Sequence, residues 1–510
     1  MAWKILWACL ACIGHVQGQV PGPLETASKS PALEARTLAQ SACSTCHLFP
    51  EPSTLDQSSW KHEILPKMRK MMGMEPFDYE IAPGGSLLKQ KRPFPAAPAM
   101  SEKEWQNLVR YYLSEAPAAM EAAPTALPAA PRPPLRGEYS AWRADSPAVS
   151  LIKIDPSNRR LYVADALSGN LLFFDDRGRL GGGIQLNQPV VHMALSTNGF
   201  FLTSIGSLYP SDEAKGEVVF FGSPKAGPVE KKSLLKNLHR PVHTLVTDIN
   251  RDHREDLVVC SFGNNLGNLA WFENRGDGSY AEHILIDRPG ATMTQAIDLD
   301  KDGREDLVVL MAQAWEGLYW LQNQGNGVFK EIPLLQWPPT WGSSSFQMAD
   351  FNGDGHPDVL TTNGDNGDFS GIAPLKPYHG VRIYLNDGQN RFALKYFLPL
   401  NGAYKAIAAD FRTTGRLDIV VSSFFPDFQK AAAKSLVYLY NEGNGDWKPV
   451  TMPESQWGRW FVMDAGDLDG DGRPELATGS YPQGPGFIPK TIFESWRKES
   501  SPVVIFRHVK

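Results

Sequence analysis

The sequence predicts a multidomain chain, a small all-α unit followed by an all-β propeller counted at seven blades. Three observations carry that prediction. Residues 136–510 repeat one element, whose acidic turns begin at Asp248, Asp298, Asp350, Asp410 and Asp467. Residues 116–135 are rich in Pro and Ala, a composition that reads as an extended, semi-rigid spacer between two units. Ahead of the spacer, apolar residues recur at helical spacing, as in Trp105, Leu108, Tyr111 and Tyr112.

Taken from the start, residues 1–18 read as an export signal. Lys4 supplies the positive charge, and a short apolar stretch from Ile5 to Ile13 precedes Val16-Gln17-Gly18. That stretch is too short to span a bilayer, and no other apolar run reaches spanning length. Leu10-Ala11-Cys12 loosely resembles a lipoprotein cleavage box, with Cys9 where Leu is usual, so a lipid anchor at Cys12 is the alternative to free export. The expected location is periplasmic or extracellular, with no transmembrane segment. Of the five cysteines, a processed chain keeps Cys43, Cys46 and Cys260. No disulfide scaffold is available, and Cys260, inside the apolar run Leu257-Val258-Val259-Cys260, reads as an inert buried thiol. The formal charge of −6 gives no support for nucleic-acid binding.

Residues 19–115 contain Cys43-Ser44-Thr45-Cys46-His47, the spacing of covalent c-type haem attachment. Two thiols three residues apart suit the two vinyl groups of one macrocycle edge, and the adjoining imidazole suits the proximal face of the iron. A half zinc site would need a second Cys pair, which the mature chain lacks. A thioredoxin-like dithiol would need a βαβ context, whereas Pro50 and polar residues follow. Helices are expected over 33–43, over 57–72 and from Ser101, whose Glu104 three residues on makes a capping box. A chain this short has little core of its own, which one covalently bound haem c would supply. For the second axial position the candidates are Met68, Met71, Met72, Met74, Met100 and His62. Met68 is favoured because Pro66 in Leu65-Pro66-Lys67-Met68 breaks the local helix and frees a side chain to turn inward.

The repeats carry the second kind of site. Asp298, Asp300, Asp302 and Asp306 stand at positions 1, 3, 5 and 9 of a turn containing Gly303. The same places hold Asp248, Asn250, Asp252 and Asp256; Asp350, Asn352, Asp354 and Asp358; and Asp467, Asp469, Asp471 and Glu475. Oxygen ligands so spaced converge on a hard cation, giving about four expected Ca²⁺ sites. The competing reading is a polar hairpin whose Asp residues only cap turns. In the fifth turn Arg412 and Thr414 occupy ligand positions, and no ion is expected there. An Asn-x-Gly step follows each of four turns, at Asn274, Asn323, Asn386 and Asn441. Two weaker units, 149–186 and 190–238, complete the count of seven, and residues 137–142 are expected to supply the strand missing from the last blade.

These turns and strands resemble the FG-GAP/VCBS repeat propellers, as in integrin α-subunit heads, well over 240–510 and weakly over 140–238. The stretch from Cys43 through His47, Pro50 and Pro52 to Trp60 and Leu65-Pro66-Lys67-Met68 looks like the c-type cytochrome domains fused to such repeats in exported bacterial proteins. That resemblance implies Met68 as the distal ligand and brings no substrate.

The function these readings imply is single-electron transfer by an exported cytochrome. Its partner would be a redox protein or a small-molecule electron donor or acceptor, with the propeller as docking or ligand-binding scaffold. Two alternatives stand beside it: a haem-linked oxidoreductase with its substrate site on the propeller, and an adhesion or glycan-binding propeller with an accessory haem. No catalytic residue is assigned. The long loops joining second to third strands mark the expected ligand face, with Asp365, Asp368, Lys376, Tyr378 and His379 as its polar set.

Overall fold

A computed structural model of the chain describes residues 31–122, 127–128, 132–222, 231–367, 373–428, 434–499 and 501–509. The expected export signal and Asp368 lie outside the described residues.

Seven four-stranded antiparallel sheets form a closed ring, each inner strand contacting its neighbours. The blades span 149–185, 190–238, 241–286, 291–336, 343–399 and 403–451. The seventh combines Trp460–Gly466, Glu475–Ser480 and Val503–His508 with Leu135–Tyr139. Closure falls two residues earlier than expected, with Leu135 opposite His508 and Tyr139 opposite Val504. One blade thus takes strands from both ends of the propeller sequence, which removes two open sheet edges.

The second strand of each later blade is buried along its whole length, for example Asp256–Ser261 and Asp306–Met311. Each lies mid-sheet and is covered on both faces by adjacent blades, so it reads as a continuous apolar run rather than an alternating one. Cys260 belongs to such a layer, in contact with Trp271, Leu307 and Val309. Burial pushes its thiol up to about 12, and its Sγ lies 3.0 Å from Thr294 Oγ1. It is buried, as expected, and a thiol so raised is little ionised at neutral pH.

The N-terminal unit contains α1 (Pro31–Cys43), α2 (Gln57–Ser59), a π-helical turn (Trp60–Ile64), α3 (Leu65–Met71), α4 (Gly85–Lys91) and α5 (Glu102–Glu115). Both bonds of the expected capping box are present at Ser101 and Glu104. The second expected helix is interrupted rather than continuous. Pro66 has no amide hydrogen and its ring would strike the carbonyl of His62. The widened π turn ahead of it, closed by Leu65 N–H donating to Trp60 O, takes up that conflict. Helix α4 has no clear signal in the sequence. Nine side chains form the buried centre, among them Ala39, Leu55, Trp60, Trp105 and Tyr112.

The helical unit sits on the propeller, on the face carrying the loops between second and third strands. Tyr378 Oη donates to Thr54 O at 2.7 Å, and Asp212 N–H donates to Pro83 O at 3.0 Å. Asp212 belongs to the second blade and Tyr378 to the fifth, three places round the ring, so the unit reaches across the axis. At Gly84, in a left-handed conformation (φ +82°), a Cβ would meet the Asp212 backbone at 2.4 Å. The described part of the Pro/Ala segment is fastened at both ends. Pro117 O accepts from Gln57 N, Pro128 O from Thr451 N and Arg132 O from Tyr440 Oη. Among the described residues no helix is long and apolar enough to cross a membrane.

Candidate functional site

Helix α1 delivers the first thiol. It ends at Cys43, whose half-buried Sγ lies 3.7 Å from the Tyr112 hydroxyl on α5. Burial raises the Cys43 thiol above its ordinary range. The turn that follows, Cys46 N–H donating to Cys43 O at 3.4 Å, leaves Cys46 exposed and both thiols free. His47 Nδ1 lies 2.9 Å from Leu48 O, which assigns its ring proton to Nδ1 and leaves the Nε2 lone pair available. Burial lowers the His47 pKa and favours the neutral, ligating form.

Four of the candidate methionines, Met68, Met72, Met74 and Met100, are half-buried against the same core as Cys43. Met71 is 45% exposed. His62 is exposed and its Nδ1 faces Ser58 Oγ at 3.4 Å. Met71 and His62 are thus exposed, and the four methionines packed against the core include Met68. Cys43 and four thioethers on one small core, with exposed Cys46 and neutral His47 next along the chain, form a donor set that fits a c-type haem.

The acidic turns join first to second strands, on the face opposite the helical unit. In all five the position-1 carboxylate accepts the amide at position 6, as Asp298 does from Gly303 at 2.8 Å and Asp410 from Gly415 at 2.7 Å. Turn capping is therefore one role of that residue in every repeat. Position 6 is left-handed throughout (Gly303 φ +87°, Gly415 φ +75°), and His253 holds the same conformation at +64°.

Convergence differs from loop to loop. Carboxylate oxygens of Asp298, Asp300 and Asp302 lie within 4.8 Å of one another, as do those of Asp467, Asp469 and Glu475. In the other two turns Asn250 and Asn352 put an amide at position 3, and each donates Nδ2–H to the next carboxylate, Asp252 or Asp354. Arg254, Arg304 and Arg473 pair with Asp252, Asp302 and Asp471. At position 9, Asp256, Asp306, Asp358 and Glu475 are almost fully buried, and burial raises each above the usual carboxylate range.

The Asn-x-Gly step completes the same device. Amides of Asn274, Asn323, Asn386 and Asn441 donate to the position-9 carboxylate at 2.7–2.9 Å. Their side-chain amides donate to the carbonyl at position 8, as Asn323 does to Glu305 O at 3.0 Å. In the last blade His508 Nε2 takes that place, 3.0 Å from Pro474 O. The sequence displays this Asn at regular spacing, but its tie to the acidic turn is visible only in three dimensions.

The fifth turn carries its own cation. Arg412 Nε and Nη2 donate to the two oxygens of buried Asp418 at 2.7 and 2.9 Å, and Tyr438 Oη donates to Asp418 at 2.6 Å. The guanidinium thus fills the space where position 3 would face position 9.

The expected ligand face is partly enclosed. Lys376 and His379 are 3% and 1% exposed, and Tyr378 is covered by the helical unit through Thr54. Lys376 Nζ donates to Thr340 O at 3.1 Å. Asp365 Oδ1 accepts from Gly367 N at 2.7 Å. Lys376 and His379 are therefore buried rather than offered as contacts, and Tyr378 beside them bonds to the docked helical unit.

Beneath it, Glu316 accepts from the Ser343 amide and hydroxyl, and burial pushes its carboxyl up to about 8. Its folded pKa lies above the ordinary 4.5, so the folded state binds the extra proton between these values. Stability should fall as pH rises from about 4.5 to about 8. Glu316→Gln is expected to flatten that slope in pH-dependent unfolding curves.

Comparison with known families matches residues 248–309 and 298–361 to the FG-GAP-like repeat. The chain therefore carries FG-GAP-like repeats on a seven-bladed β-propeller. No curated protein matches it. Among solved structures, the N-terminal domain of Nup159 shares 10% identity, covering 76% of this chain and 98% of that one, at a TM-score of 0.43. The Myceliophteria thermophila Cps50 (Swd1) β-propeller domain shares 8%, covering 74% and 100%, at 0.44. The Dos1 propeller shares 11%, covering 71% and 78%, at 0.42. The blade count rests on the seven sheets themselves.

Proposed function

We infer that the protein is an exported single-electron carrier whose helical unit holds one covalent haem c on a calcium-tied propeller scaffold. The observation that carries this reading is that Cys43 packs with Met68, Met72, Met74 and Met100 on one core, while Cys46 and a neutral, Nδ1-tethered His47 follow it in Cys-x-x-Cys-His spacing. A haem bound there would supply reversible one-electron chemistry at the iron. Cys43 and Cys46 would hold the macrocycle and His47 the proximal face, while Leu48 O fixes the imidazole orientation. Met68 is the distal ligand in this reading. Met68→Ala should abolish the ferric near-infrared sulfur-to-iron band and lower the potential. An unchanged band would move the assignment to Met72, Met74 or Met100. The partner in this reading is a redox protein or small molecule outside the chain.

The propeller serves as platform, with Ca²⁺ in the turns beginning at Asp248, Asp298, Asp350 and Asp467. The converged oxygens of Asp298, Asp300 and Asp302 support it. Asp302→Ala should remove one calcium per chain in metal analysis. A ligand at a hundredfold excess over Kd stabilises the native state by about 2.7 kcal/mol, so chelation should lower the propeller's unfolding midpoint while haem is retained. Protein purified without chelator and free of calcium would contradict this part.

The oxidoreductase reading gains from one observation, the seating of the helical unit on the long-loop face beside Tyr378. A substrate bound on that face would lie near the haem unit. Reduced-minus-oxidised spectra during a screen of sugars and alcohols separate the two, since a carrier shows no substrate-driven reduction.

A further inference from the structure

The inner strands bring an unusual set of side chains to the propeller axis. Five consecutive blades contribute Lys405, Asp464, Lys153, His192 and His243, from Ala403–Ala409, Trp460–Gly466, Val149–Asp155, Val190–Ser196 and Pro241–Thr247. The two remaining inner strands contribute Gln295 and Gln347. These are spent as clamps between blades, each bonded to the backbone of the next, at Met348 and Ala408.

The polar arc is not balanced. Asp464 is its only carboxylate, and it already accepts from Lys153 Nζ at 3.1 Å and from Ile154 N at 2.8 Å. Lys405 has no hydrogen bond or ion pair among the described residues. Asp464 also attracts Lys405 from a distance, so one carboxylate serves two half-buried ammonium groups and the arc keeps an excess of positive charge. Facing Lys405 across the axis, the His192 and His243 rings lie 4.1 Å apart. His192 Nδ1 accepts from Thr244 N at 3.3 Å, which places its ring proton on Nε2. His243 Nδ1 is buried without a partner. Burial and the nearby lysines keep both rings neutral. The axis therefore offers two ammonium groups to one carboxylate, together with the Nε2–H of His192 as a donor. A divalent metal is disfavoured, because both lysines repel it and Thr244 already uses one imidazole nitrogen.

We propose that the axial channel binds a small oxyanion, a carboxylate or an inorganic anion, held between Lys405 and the His192–His243 pair. Such a ligand supplies the second negative charge for the two lysines and an acceptor for His192 Nε2–H. The site needs neither haem nor calcium, so its success or failure is separate from theirs.

The test is calorimetric titration of the full chain with inorganic phosphate, sulfate and oxalate in low-salt buffer. At least one of them should bind saturably at one site per chain. Affinity should drop by about tenfold or more in Lys405→Met, the loss expected for a charge-assisted contact. It should be unchanged in Lys236→Met, on the exposed outer strand of the second blade. No saturable binding of any of the three, or binding that survives Lys405→Met, would overturn the proposal. Should Lys405→Met fail to fold, wild-type crystals soaked in selenate should show an anomalous peak on the axis beside Lys405. Peaks only on the outer surface would overturn it equally.

Discussion

Arg412→Ala is expected to destabilise the propeller by about 3 kcal/mol, the low end of the range for stripping one partner from a buried ion pair. Asp418 is fully buried at the start of its strand, and Arg412 supplies two of its hydrogen bonds. Removing the guanidinium leaves that carboxylate with the Tyr438 hydroxyl and the Asn441 amide, which soften the loss without neutralising the charge. The contrast with the other four turns gives the prediction its edge. Arg412→Asn/Thr414→Asp restores the position-3 and position-5 ligands of a calcium turn beginning at Asp410. That variant should unfold early in chelator, recover on adding calcium, and bind one more calcium per chain than wild type. Equal midpoints for Arg412→Ala and wild type in urea would show that the pair contributes nothing.

Loss of the paired thiols should have the largest effect on the helical unit. Cys43→Ser/Cys46→Ser is expected to yield protein without covalent haem and with a loosened N-terminal unit. The physical reason is size: nine buried side chains make a small core, and Cys43 and four methionines line it half-exposed. A covalent macrocycle laid against that surface would complete it. Without the thioethers, hydrogen exchange in α1 and α5 should speed up while the propeller stays protected. Unchanged protection in those helices would mean that the unit folds independently of any prosthetic group.

Much of this architecture is legible in the chain because its signals are local and repeated. The acidic turns, the apolar second strands and the Asn-x-Gly steps mark blades three to seven directly. The closing strand is also readable, since the last repeat ends one strand short and residues near Gly137 have strand character. Helix α4 escapes a reading of the sequence because it has only seven residues and no side-chain cap, and the contact of Pro83 and Gly84 just before it with the propeller loop at Asp212 is not local in the chain. The expected ligand face is legible only in part. Asp365, Lys376, Tyr378 and His379 look like a polar loop in sequence, and nothing local announces that Lys376 and His379 are buried or that Tyr378 bonds to the N-terminal unit. Arg412 stands out as a departure from the calcium pattern, but its role as a substitute cation depends on Asp418 lying buried opposite. The axial set of Lys405, His192 and His243 is widely separated along the chain, and only ring closure unites it.

The most direct measurement is the haem content of the full wild-type chain after denaturation and acid–acetone extraction, read as the pyridine haemochrome. One haem per chain should remain with the protein, in the spectral position of a macrocycle whose two vinyl groups have become thioethers. Haem that passes wholly into the acetone phase, or a chain expressed in a haem-c-maturing host that carries none, would contradict the account.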